Sequence, residues 1–163
     1  MFLANWLGVV INLLEILSNI LSNEYEVYEE IINMRFTIDK MEQQKNMILV
    51  TGRTSVGTIA GIWKYAELPV IGNDYHIELG ILYPCEIDIS QKSRHVSFVY
   101  VDNDNVIFKG ICEDIDEDVY YLRFDIDWLE MIEIDSIASE KKVGDYISFS
   151  ASIYGVTIYP YTL

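Results

Sequence analysis

The run Ile48-Leu49-Val50-Thr51-Gly52-Arg53-Thr54-Ser55-Val56-Gly57-Thr58 decides between two folds. Two glycines five apart, directly after the apolar run Met47–Val50, are how the phosphate loop of a parallel α/β protein begins. That loop needs a lysine and then a hydroxyl after the second glycine, to reach phosphates and hold magnesium. Thr58 and Ile59 stand in those places. The loop should also open a helix whose first N–H groups bind the anion. The chain continues instead as Thr58-Ile59-Ala60-Gly61-Ile62-Trp63-Lys64-Tyr65, with β-branched residues and a glycine, which reads as a strand. The stretch is therefore a hairpin, Met47–Thr51 and Thr58–Tyr65, with glycines supplying turn or bulge geometry.

Working outward, the same period of two recurs. Met34, Phe36 and Ile38 alternate with Arg35, Thr37 and Asp39, the mark of a half-buried strand. Further strands are predicted at Tyr75–Leu82, Glu86–Ser90, Val96–Val101, Val106–Ile111 and Val119–Asp127, with Leu129–Asp135 extending the last or forming the next. Asp102-Asn103-Asp104-Asn105 signals a hairpin turn. Tyr146–Ala151 and Val156–Tyr159 are expected to form a final hairpin around Ser152–Gly155. In Val119–Asp127, Leu122, Phe124 and Ile126 are expected on one side, with Arg123, Asp125 and Asp127 on the other. The connections are too short for crossover helices, so the fold class is mainly β, an antiparallel barrel or sandwich. Gly72-Asn73-Asp74-Tyr75 is echoed by Gly144-Asp145-Tyr146, which suggests a duplicated half-barrel.

The first 33 residues follow another rule. Asn5, Asn12, Glu15, Asn19 and Ser22 fall on one helical stripe, and Leu3, Trp6, Val10, Leu13, Leu14, Leu17, Ile20 and Leu21 cover the remaining circumference. This is an amphipathic helix with a wide apolar face. The domain division is thus a helical segment, 1–33, and a β-barrel domain, 34–163. The helix is expected to pack on its own domain or to pair with a second copy; Trp6, Val10, Leu13 and Leu17 are the candidate oligomerisation residues, through which a homodimer would form. No Lys or Arg precedes Arg35, so a secretory signal and an anionic membrane surface are both disfavoured, and a cytoplasmic location is expected.

Charge narrows the partners. The net charge is −15, which repels phosphate backbones and excludes nucleic acid as the expected partner. Cys85 and Cys112 stand apart, without disulfide or zinc spacing, and both read as small buried hydrophobes. His76 and His95 are the only histidines, and Asp102–Asn105 fails as a calcium loop because Val106 and Ile107 replace a ligand and the glycine. No cofactor is expected, and no nucleophile elbow is present.

The acidic stretch from Glu113 to Asp135 carries ten acids against one base, Arg123. Apolar and aromatic residues are interleaved, so it belongs to folded structure. The candidate partner-binding residues are Asp114, Asp116, Glu117, Asp118, Tyr121, Arg123, Asp125, Asp127 and Trp128. Here carboxylates would steer a cationic protein, and exposed tyrosine and Trp128 would anchor it.

Taken together, Gly61-Ile62-Trp63, Pro69 with Gly72, Tyr75-His76-Ile77-Glu78-Leu79, Tyr121-Leu122-Arg123-Phe124, Val143-Gly144-Asp145-Tyr146 and Ile158-Tyr159-Pro160-Tyr161 carry a resemblance. The chain from Met34 to Leu163 is similar to small acidic bacterial OB-like or barrel proteins. Some of those sit beside polymorphic or contact-dependent toxin genes as immunity proteins. The resemblance implies a non-enzymatic, antitoxin-like protein that binds a basic toxin domain, plausibly a nuclease. It carries over no site residues, because immunity proteins differ in the face they use. A dimerising assembly module built on the helix, and a small-molecule-binding barrel or enzyme, are the rival expectations.

Overall fold

A computed structural model of the chain describes residues 34–89, 95–134 and 140–161. The expected N-terminal helix, with Trp6, Val10, Leu13 and Leu17, lies outside the described residues. Within them the chain forms eleven strands: β1 Met34–Gln44, β2 Met47–Thr54, β3 Gly57–Trp63, β4 Asp74–Ile81, β5 Cys85–Glu86, β6 Phe98–Asp102, β7 Asn105–Asp116, β8 Val119–Asp125, β9 Trp128–Glu133, β10 Tyr146–Ser152 and β11 Val156–Tyr161.

Five of these close a barrel. β1 pairs with β2 and β4, β2 with β3, and β11 bridges β4 and β3. All pairings are antiparallel except the closing one, where Thr157 and Ile158 lie parallel to Ile62 and Trp63. Phe36, Ile38, Val50, Ile59, Ile77, Val156 and Ile158 fill the interior with almost no exposed surface. The quoted hairpin has a two-residue turn, Ser55-Val56, between the paired Thr54 and Gly57. Gly52 is no turn residue. It lies inside β2, where a Cβ would stand 2.3 Å from the Thr37 carbonyl oxygen and 2.5 Å from the Phe36 ring. Gly57, at φ 146°, lets the Val99 carbonyl of β6 approach to 1.8 Å from where a Cβ would be.

A second unit, β5 to β10, is inserted between β4 and β11. It repeats the first. β7–β8, β8–β9 and β7–β10 are paired antiparallel, as are β1–β2, β2–β3 and β1–β4. Both β1 and β7 carry an irregularity against the following strand, after Ile38 and after Cys112. At those residues the backbone bonds match. Ile38 N–H donates to Asn73 and its carbonyl accepts from Gly72, at 3.1 and 2.7 Å; Cys112 N–H donates to Asp145 and its carbonyl accepts from Gly144, both at 2.8 Å. Gly72 and Gly144 are both left-handed, at φ 87° and 94°. The sequence echo therefore corresponds to one turn used twice, each time feeding a strand back beside the bulged one.

The two units differ in closure. In the first, six-residue β11 lies on β4 and reaches β3. In the second, β5 lies on β10 but contributes only Cys85 and Glu86 to the ladder. Among the described residues no strand lies on the outer edge of β9.

Several expectations are corrected. β10 and β11 do not pair: Ser152–Gly155 hands the chain from the second unit back to the first. β7 runs on through Glu113–Asp116, because the expected acidic loop is itself strand with a two-residue turn, Glu117-Asp118. Ile126 sits in the β8–β9 turn and is 81% exposed, so the inward series ends at Phe124. Cys112 is buried, but Cys85 is exposed, since its strand is a short edge. Among the described residues no helix is long and apolar enough to cross a membrane.

Candidate partner-binding surface

The acidic stretch folds into the three-stranded sheet β7–β8–β9, and register assigns its faces. Residues directly opposite one another in antiparallel strands share a face. Cys112, Leu122 and Glu130 form one inward row, and Ile115, Tyr120 and Ile132 another. The outward rows are Ile111-Arg123-Leu129, Asp114-Tyr121-Met131 and Asp116-Val119-Glu133. The outer face thus has a half-buried apolar centre, Val119, Tyr121 and Leu129, with Met131 67% exposed. Asp114, Asp116, Glu133 and the turn residues Glu117 and Asp118 surround it, all exposed. Glu117 takes a left-handed conformation, φ 52°, in that turn.

The nine candidate residues separate by environment. Asp114, Asp116, Glu117, Asp118 and Asp127 are exposed. Tyr121 lies half-buried at the centre of the face. Arg123 is instead a clamp. Its Nε and Nη2 donate to the two oxygens of Glu113 at 2.9 and 3.0 Å, and its Nη1 donates to the Ile126 carbonyl at 3.0 Å. Such a two-pronged contact fixes the β7 bulge to the β8–β9 turn. The Arg123 hydrogen bonds also hold the Glu113 carboxyl below the usual carboxylate range. Asp125 does not project beside Asp127. Hydrogen bonds from Ser55 and from the Ile126 N–H, the latter 2.8 Å, hold its carboxyl below its ordinary value. Ser55 belongs to the β2–β3 turn, so this contact joins the two units. The irregularity between Arg123 and Asp125 is what turns Asp125 aside.

Trp128 is corrected outright. It is 2% exposed, stacks on Phe124 at 4.7 Å between centroids, and belongs to the core. Phe124 in turn meets Phe108 and Phe149 edge-on. The two-residue turn preserves the alternation, so Trp128 continues the inward series of Leu122 and Phe124.

Sequence reading missed Glu130. It lies between Trp128 and Ile132 on the inner face, and Trp128 Nε1 donates to its Oε1 at 2.8 Å. Burial, with the negative charge of Glu78 added, pushes its carboxyl up to about 7 against the indole hydrogen bond. Nearby, Tyr161 O–H donates to Glu78 at 2.5 Å, and burial together with Glu78 raises the phenol to about 12. The signal in the sequence was parity alone: with Trp128 buried, Glu130 must be inward too.

No protein-family model matches the chain, and no curated protein or solved structure is similar to it at a significant level.

Proposed function

We propose that this protein is a non-enzymatic binding module that docks a basic protein domain on the outer face of β7–β8–β9. It would act as a cytoplasmic immunity protein that blocks a basic bacterial toxin such as a nuclease. The observation that carries the reading is the composition of that face. Five exposed carboxylates, at Asp114, Asp116, Glu117, Asp118 and Glu133, ring a centre of Val119, Tyr121, Leu129 and Met131. An apolar centre with a charged rim suits protein recognition, and one sign of charge suits steering of a cationic partner. A net charge of −15 extends that field over the molecule. The carboxylates would stand in for the phosphates of the toxin's substrate. We read the barrel as OB type, since five strands close as a Greek key with the third meeting the last.

The test uses the partner recovered from the native host at low salt. Asp114→Asn, Asp116→Asn, Glu117→Gln and Asp118→Asn together should slow its association about tenfold or more at low salt, and flatten the salt dependence. An association rate unchanged in the variant and across salt would sink the reading. Toxin protection in cells should fall in parallel.

A further inference from the structure

The two units of this fold have the same strand plan but different endings. In the first, the outer edge of β3 is covered: Thr157 and Ile158 of β11 lie parallel to Ile62 and Trp63, and Lys64 N–H donates to the Ile158 carbonyl at 2.9 Å. The matching positions are found by following the ladders. Ile38–Gly52–Ile59 in the first unit corresponds to Cys112–Leu122–Glu130 in the second. Glu133 and Ile134 then stand where Ile62 and Trp63 stand. On the far side, β5 occupies the place of β11 on β10, with one further bond from Ile87 N–H to the Ser148 carbonyl, 3.0 Å. Between β5 and the edge of β9 the described residues hold no strand.

We propose that the outer edge of β9 is a strand-acceptor site for an extended basic segment of a partner protein, pairing parallel to β9 as β11 pairs with β3.

An exposed strand edge is a row of unmade backbone hydrogen bonds, and adding a strand is a recurrent way of binding peptides. Charge decides the occupant. Side chains on an added strand alternate between the faces. Those on the outer face would meet Met131 and Glu133, and those on the inner face Glu130 and Ile132. Where the first barrel has the wholly buried Ile59, the second has Glu130, with Glu78 close by. A second copy of this chain would bring its own Glu130 and Glu133 to the same seam, and like charges in opposition repel. An inward carboxylate on an edge strand guards against self-pairing in this way. A Lys or Arg facing Glu130 from the partner, with a second facing Glu133 and an apolar residue against Met131, meets both conditions. The inference rests on the reading of this sheet as the docking surface, and adds how the partner engages it.

The test is made on the full chain with short synthetic peptides as probes. One repeats Lys-Val-Val-Lys, which sets lysines against Glu130 and Glu133 and a valine against Met131. A second, of equal charge, has proline for each valine, which removes those N–H donors. A third has glutamate for each lysine. The lysine–valine peptide should bind, and should slow amide exchange of Met131 and Glu133, whose N–H groups face away from β8, about tenfold. The proline peptide should bind about tenfold more weakly, and the glutamate peptide not measurably. Met131→Lys, at an exposed position that leaves the fold intact, should weaken the lysine–valine peptide about tenfold. Three results would overturn the proposal: equal binding of the two basic peptides, no effect of Met131→Lys, or the Met131 and Glu133 amides, which face away from β8, already protected in the free chain, which would mean the outer edge is paired internally. The first, with shifts confined to Asp116–Asp118, would leave the docking surface standing while removing the strand mode. Loss of the surface itself shows separately, in the association kinetics of the native partner.

Discussion

Glu130 is the residue whose chemistry departs furthest from its type. Its carboxyl is raised to about 7 in the fold, while the unfolded chain releases that proton near the ordinary value of 4.5. The folded state therefore binds the proton more tightly. Stability from this group is complete below about pH 4.5 and is lost as pH rises through about 7. Glu130→Gln keeps an acceptor for the Trp128 indole and removes the ionisation. The variant should match the parent in thermal unfolding at pH 4.5 and exceed it by about 2–3 kcal/mol at pH 8. Equal melting at both values would show that the carboxylate is not confined as described. A partner cation placed against Glu130 would reverse the shift, so binding should release a proton and strengthen as pH rises from 6 to 8. The cation at Arg123 acts differently. It is spent on Glu113 and the Ile126 carbonyl, so Arg123→Ala should loosen the β8–β9 turn rather than remove a partner contact.

At the scale of elements, the glycine turns are the clearest test of the internal repeat. A Cβ on Gly72 or Gly144 meets nothing within 4 Å, so only the left-handed backbone resists a side chain. Gly72→Ala and Gly144→Ala should each cost about 1–2 kcal/mol, and the double variant should be close to additive, since each turn serves a different unit. Denaturant unfolding measures all three. Gly52→Ala should cost more, because its Cβ collides with the Thr37 carbonyl and the Phe36 ring; displacement of a packed aromatic is expected to cost about 1–3 kcal/mol or beyond. Most strands were legible from alternation, including β4, β6 and β8, whose inward residues are apolar. Pairing partners were not. Ser152-Ile153-Tyr154-Gly155 has the chemistry of a hairpin turn, yet β10 and β11 go to different neighbours. Local turn propensity sets a chain reversal, and the partner is chosen by long-range burial. Trp128 failed for a different reason. The even-numbered inward series of Leu122 and Phe124 runs on through the Ile126-Asp127 turn to Trp128 and Ile132, so alternation placed the indole inside while its residue type suggested an exposed anchor.

For the whole molecule, closure by β11 is the dominant feature. Ile158 is fully buried and lies between Leu79 of β4 and Trp63 of β3. Ile158→Ala should destabilise by about 2–4 kcal/mol. Amide exchange should accelerate in β3 and β4 together, because both lose the strand that joins them; acceleration in β4 alone would contradict a closed barrel. The acidic charge was legible from the sequence, and so was a mainly β fold, with barrel and sandwich both open. The location of the charge on one sheet face was legible only for Asp114, Asp116, Glu117 and Asp118, all of them exposed. Asp125 is tied to Ser55, far away in sequence, and only the folded arrangement of the two units brings them together.

The insertion also sets an order of events in time. His76 pairs with Tyr161 and Ile81 with Val156, so the first barrel closes across the whole of the second unit. A ribosome delivers β1 to β4 early and β11 only after β5 to β10 have emerged. Until then β3 and β4 are both edges, and Ile77 and Leu79 lack their β11 neighbours. The second unit has all of its own ladder pairs before that point and can collapse first, and its collapse shortens the effective loop that β11 must span. The barrel drawn from the earlier sequence is thus completed last, and non-local pairing of this kind folds slowly.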